Sequence, residues 1–124
     1  MTDEMPDDDV VAFASRLFDL ARAGDQALLA CVDQGVSADL ANGAGDTLLM
    51  LAAYSGHAAL VAGLIERGAD PNRANDRGQT PLAGAVFKGH DDVARILADA
   101  GADPDAGTPS AREAAAMFGR ELPA

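Results

Sequence analysis

The sequence predicts an all-α repeat fold of stacked helix-turn-helix units. Three observations carry that expectation. Gly35, Gly68 and Gly101 recur every 33 residues, and Gly45 with Gly78, Thr47 with Thr80, Gly56 with Gly89 and His57 with His90 keep the same spacing. A shared period of that size marks stacked units rather than one folded sheet. Apolar residues fall three and four apart, as on one face of a helix, between turn-rich stretches. The stretch Gly68 to Leu82 closes on Thr80-Pro81, an N-cap hydroxyl followed by the residue best suited to a first helical turn.

Taken in order, residues 1–8 read as an acidic N-terminal tail, with 1–6 frayed, and 9–124 as a single domain. Asp7-Asp8-Asp9 precedes a periodic run of Val10, Phe13, Leu17, Leu20 and Ala21. Acids there complement a helix N-terminus; as a cation site the triplet lacks a second ligand cluster. The helix stops at Gly24, and a second apolar run, Ala27 to Val32, ends at Gly35. This unit, 9–39, is one residue shorter between its glycines and lacks the Thr-Pro opening. It therefore reads as an N-terminal capping repeat with a polar outer face.

Unit 40–72 has a loop at 36–46 leading into it, then helices over about 47–55 and 58–67. Unit 73–105 repeats this with a loop at 69–79 and helices over 80–88 and 91–100. Leu60, Val61, Leu64 and Ile65, and then Val93, Ala94, Ile96 and Leu97, form apolar faces, which leaves Glu66, Arg67, Arg95 and Asp99 to water. Gly68 and Gly101 end those helices in left-handed turns. Gly63 and Gly84 lie inside helices, at roughly 1 kcal/mol each relative to Ala. In the last unit, 106–124, Gly119 follows Gly89 by 30 residues, so three are missing from the loop. Arg112 falls where Leu49 and Leu82 sit: either it snorkels across the outer face, or the register of this helix differs. Ser110 to Glu113 has capping-box spacing. No second helix follows, and the unit reads as a half-repeat that closes the stack. Its apolar end makes self-association the alternative to an expected monomer.

Gly78-Gln79-Thr80-Pro81-Leu82, then Gly89-His90, then Gly101-Ala102-Asp103 resemble the ankyrin-repeat pattern. The preceding unit carries the same marks as Gly45, Thr47, Leu49, Ala52-Ala53, Gly56-His57 and Gly68-Ala69-Asp70. The resemblance covers nearly all of the chain after Asp9. It departs from the family at Met50 and Ala83, where a histidine that bonds the neighbouring loop usually stands. It implies an ankyrin-type α-solenoid with loop or hairpin fingers. It also implies that loop tips and first helices form a concave strip for a protein partner, and that His57 and His90 serve loop and helix-end hydrogen bonds.

Composition narrows the function. At 124 residues the chain is one domain by length. It is 48% hydrophobic with only 4% aromatic residues, so its core is built from Ala, Leu and Val. Nine basic against twenty acidic residues give a net charge of −11, a field that repels nucleic-acid backbones and favours a basic partner. The single Cys31 forms no internal disulfide, which fits a reducing compartment, and reads as a buried structural thiol. The acidic start is unlike a signal peptide and no run reaches membrane-spanning length. A cytoplasmic protein with no membrane association is expected.

No enzyme, cofactor or metal is expected. His57 and His90 occupy equivalent places one repeat apart, roughly 10 Å by the width of a helix layer, without a third ligand. Asp91-Asp92 belongs to a helix N-terminus. Gly43-Ala44-Gly45 lacks the Lys-Ser/Thr of a phosphate loop. The candidate site lies elsewhere. Two residues before each helix-ending glycine stand Arg22, Tyr54, Phe87 and Met117, residue types enriched in interface cores. Phe118 adjoins this column, and Gly43, Asp46, Asp76, Arg77, Gln79 and Lys88 lie beside it. The alternative is that the column only packs along the stack. The expected function is protein–protein interaction through this strip. The alternative is an acidic, antitoxin-like inhibitor that occupies a basic, nucleic-acid-binding protein.

Overall fold

A computed structural model describes residues 7–123. The expected tail at 1–6, and the side chains of Asp7 and Asp8 in the expected acidic cap, lie outside the described residues. Among the described residues are α1 (Asp7–Ala23), α2 (Ala27–Asp33), α3 (Leu48–Tyr54), α4 (Ala58–Glu66), α5 (Pro81–Lys88), α6 (Asp91–Asp99) and α7 (Ala111–Phe118). The odd-numbered helices form one row, each packed on the next, and α2, α4 and α6 form a second row behind it. The chain thus folds into two thin layers, as the 33-residue period requires.

Local chemistry starts each inner helix. Buried hydroxyls cap α3, α5 and α7: Thr47 accepts from the Met50 amide at 3.0 Å, Thr80 from Ala83 at 3.2 Å and Ser110 from Glu113 at 3.1 Å. At α7 the Glu113 carboxylate also accepts from the Ser110 amide at 3.0 Å, which completes the capping box. Gly68 and Gly101, both at φ +93°, follow α4 and α6 and reverse the chain.

Leu28, Leu48, Leu49, Leu60, Leu64, Leu82 and Leu97 fill the space between the rows, with Ala52, Ala53 and Ala85 where inner helices meet. Gly63 and Gly84 are close-approach points. A Cβ on Gly63 would stand 2.5 Å from a Leu29 methyl, and one on Gly84 would stand 3.1 Å from the Tyr54 ring.

Four expectations need correction. On α1 the buried face is Leu17, Phe18 and Ala21, whereas Val10 and Phe13 are exposed. The reason is length: α1 has 17 residues against 7 in α3, so its first turns run past the neighbour. The outer side of the first unit is therefore not uniformly polar. Cys31 is half-buried, beside Phe13 and Val36, rather than enclosed. Arg67 does not face water freely. It grips Asp33 with two nitrogens, at 2.8 and 3.2 Å, and donates to the Gly63 carbonyl at 2.9 Å. The Asp33 hydrogen bond and charge raise its pKa above the usual arginine value. Arg112 resolves the open choice. Ser110 and Gly119 bound α7 as Thr80 and Gly89 bound α5, so the register is kept. With no helix behind it among the described residues, the leucine position faces solvent and carries an arginine paired to Asp105 at 2.7 Å.

Candidate functional site

The loops before α3 and α5 fold into narrow fingers. Asn42 accepts from the Asp46 amide and Asn75 from the Gln79 amide through their side-chain oxygens, and each main chain closes across the same pair. Asn75 is buried and also donates to Asp46 at 2.8 Å and to the Gln79 side chain at 2.8 Å. One polar hub therefore ties finger to finger. It meets a need that neither Met50 nor Ala83, both buried and apolar, is able to meet. Sequence reasoning missed this asparagine, although Asn42 and Asn75 share the 33-residue spacing. Further main-chain bonds, from Asp76 to Ala44 at 3.0 Å and from Thr108 to Gly78 at 2.9 Å, align the fingers on one side of the inner helices.

The ends of the inner helices are joined by a second column. The Nε2 atom of His57 lies 2.7 Å from the Arg22 carbonyl, and that of His90 lies 3.1 Å from the Tyr54 carbonyl. A carbonyl only accepts, so both rings carry a proton on Nε2. Each ring sits over the glycine of the preceding unit. A Cβ on Gly24 would fall 2.5 Å from the His57 ring, and one on Gly56 would fall 2.8 Å from the His90 ring. The third place is taken by Arg120, next to Gly119, which donates to the Val86 carbonyl and, at 3.0 Å, to the Phe87 carbonyl. Among the described residues, no group of three His, Cys, Asp or Glu side chains is placed to hold a metal ion.

The candidate strip runs along the inner helices beneath the fingers. Tyr54 is 40% exposed, Phe87 43%, Phe118 45% and Met117 63%, with Arg22 also exposed. Arg22, Asp46, Tyr54, Arg77 and Gln79 line one depression of about 340 Å³. Tyr54, Gln79 and Phe87 wall a second of about 160 Å³, floored by Ala83 and Gly84 with Met50 and Pro109 at its sides. Lys88 places its ammonium 5.2 Å from the centre of the Tyr54 ring. Phe87 meets Phe118 edge to face at 5.2 Å and 81°, and the Arg120 guanidinium covers Phe118 at 4.9 Å. The column thus packs partly on itself while keeping wide exposed faces. Asp46 spends its carboxylate on Asn75, and Gly43 and Asp76 stand exposed at finger tips outside both depressions. Gly84, Met50 and Arg120 complete the surface and were not singled out from sequence for this role.

The sequence pattern described as Ankyrin repeats (3 copies) matches residues 17–108. A curated protein of Pseudomonas aeruginosa named for ankyrin repeats is 52% identical over 50 residues, which make up 40% of this chain and 29% of the relative. The chain therefore spans less than a third of that relative's length. No helix among the described residues is long and apolar enough to cross a membrane. Paired helices, tied fingers and a family pattern over well more than half the sequence agree: this chain belongs to the ankyrin-repeat family, whose members are generally protein–protein interaction modules.

Proposed function

We propose that the chain holds a partner protein along the strip formed by the fingers and inner helices. The observation that carries this reading is the line of Tyr54, Phe87, Phe118 and Met117, each between 40 and 63% exposed although Leu48, Leu49, Met50, Leu82 and Val86 on α3 and α5 are buried. Half-exposed aromatic rings flanked by depressions are the anchors that interface cores favour.

No catalytic step belongs to this reading. Both histidines donate through Nε2 to main-chain carbonyls of the preceding unit, a repeated structural bond that joins one layer to the next. The same proposal takes 9–39, 40–72, 73–105 and 106–124 as its units and, from the lone thiol, a reducing compartment such as the cytoplasm.

The test is capture from native extract by the parent chain and by a Tyr54→Ala, Phe87→Ala double variant. Capture is expected to be lost while the melting temperature stays within about 4 °C, since neither ring fills the core. Undiminished capture by the double variant overturns the assignment of this face.

A further inference from the structure

We propose that Asn42-Gly43 is a self-modifying site, at which the chain converts its own asparagine to aspartate and isoaspartate without an enzyme. The two fingers share one closure. The Asn42 side-chain oxygen accepts from the Ala44 and Asp46 amides at 3.0 Å each, and that of Asn75 accepts from the Arg77 and Gln79 amides at 3.0 and 2.9 Å. They differ in the groups that a cyclisation uses. In the second finger the amide nitrogen after the asparagine, on Asp76, donates to the Ala44 carbonyl at 3.0 Å. The Asn75 carboxamide nitrogen donates to Asp46 and to Gln79 at 2.8 Å each, and the residue is buried. In the first finger the corresponding amide nitrogen is that of Gly43. The matching stretch of the preceding unit belongs to α1, so no finger carbonyl reaches it. Among the described residues, neither that nitrogen nor the Asn42 carboxamide nitrogen has a hydrogen-bond partner. Gly43 and Ala44 are exposed, and a Cβ on Gly43 would meet nothing within 4 Å.

Hydroxide from solvent takes the Gly43 amide proton, and the nitrogen attacks Cγ of Asn42. The N–Cγ bond forms, the Cγ–Nδ2 bond breaks, and the leaving nitrogen departs as ammonia with a proton from water, which restores the hydroxide. Water then opens the succinimide ring. Cleavage at Cγ leaves aspartate, and cleavage at the main-chain carbonyl leaves isoaspartate, with the backbone rerouted through the former side chain. Nothing is oxidised or reduced. Attacking and attacked groups lie in one dipeptide, so the step is unimolecular. Negative charge develops on Oδ1 of Asn42, where two main-chain N–H groups already point, the arrangement that stabilises an oxyanion. With no Cβ on Gly43, the exposed tip turns readily enough to bring nitrogen onto carbon. The extra main-chain carbon of isoaspartate breaks the pairing of residue 42 with Asp46, now 3.0 Å from the Asn42 amide to the Asp46 carbonyl. Asp46 also accepts from Asn75, so the product loosens the junction between the two fingers.

The test compares the full chain with an Asp76→Gly variant, which gives the second finger the same Asn-Gly step. Both are held in warm, mildly alkaline buffer and sampled by peptide mass spectrometry, with an isoaspartate-specific carboxyl methyltransferase as the second readout. Conversion of Asn42 to both products is expected in each folded chain. Asn75 of the variant should stay intact while folded and convert only in urea, because its carboxamide and the amide after it are held. Gly43→Ala should slow conversion of Asn42 by about tenfold or more. Amide exchange at Ala44 and Asp46 should quicken in the aged parent and not in aged Gly43→Ala. Asn42 left unreacted in the folded parent, over a time in which the urea-unfolded chain converts, overturns the proposal. That result is read on the parent alone and does not depend on how the variant folds. Asn75 of folded Asp76→Gly reacting as fast as Asn42 overturns it equally, and isoaspartate at position 42 with unaltered exchange overturns the loosening of the fingers.

Discussion

At the scale of single residues, hydrogen loses to space at the glycines. Gly56 sits at φ +81° with the His90 ring over it. A left-handed backbone costs a residue with a Cβ about 1–2 kcal/mol, and here the added methyl also displaces a ring bonded to the Tyr54 carbonyl. Gly56→Ala should therefore lower stability by roughly 2–4 kcal/mol in urea titration. Gly84→Ala is the contrast. Its helical backbone accepts alanine, which gains roughly 1 kcal/mol in propensity, and the half-exposed Tyr54 is able to give by the few tenths of an ångström required. Stability should hold or rise while binding at the strip weakens, because the methyl fills the depression. A clear loss of stability would show that Tyr54 is more tightly held than its exposure implies.

At the scale of the helix, the inner row depends on its caps. Ser110→Ala removes the acceptor for the Glu113 amide and leaves only the bond from the amide of residue 110 to the Glu113 carboxylate. About 1 kcal/mol should be lost, and amide exchange should quicken first around Glu113. Much of this level was legible in the sequence. Thr47, Thr80 and Ser110 announce their helices because an N-cap is a local bond, made by a residue to its own chain three positions on. Arg67 was misjudged for the opposite reason. Its partner, Asp33, lies on the outer helix of the preceding unit, and nothing local distinguishes that arginine from the solvated Arg95. The same holds for Val10 and Phe13, whose helical spacing is correct but whose exposure depends on where the neighbouring helix ends.

At the scale of the whole molecule, each layer is stabilised through its neighbours, so a cavity in the middle is felt throughout. Leu60→Ala, at a fully buried site of α4, should cost about 2–5 kcal/mol. A single shifted transition is expected by circular dichroism, since the array is short. Two separated transitions would mean that the units unfold independently. The −11 charge adds self-repulsion, which mobile ions screen over a Debye length of about 8 Å at physiological ionic strength. Raising sodium chloride from low to moderate concentration should therefore increase the melting temperature.

The period of 33, the helix starts and the glycine stops were determined by the sequence alone, because they rest on contacts within one unit that recur in the next. The column of Arg22, Tyr54, Phe87 and Met117 was visible for the same reason: each stands two residues before a helix-ending glycine, so equal positions fall in line. Only the tertiary structure decided that Asn75 ties the fingers and that Arg120 stands in for a third histidine. Those facts depend on side chains some 30 residues apart meeting across unit boundaries. A linear chain records which residues are present at such boundaries, but the stacking selects which of them touch.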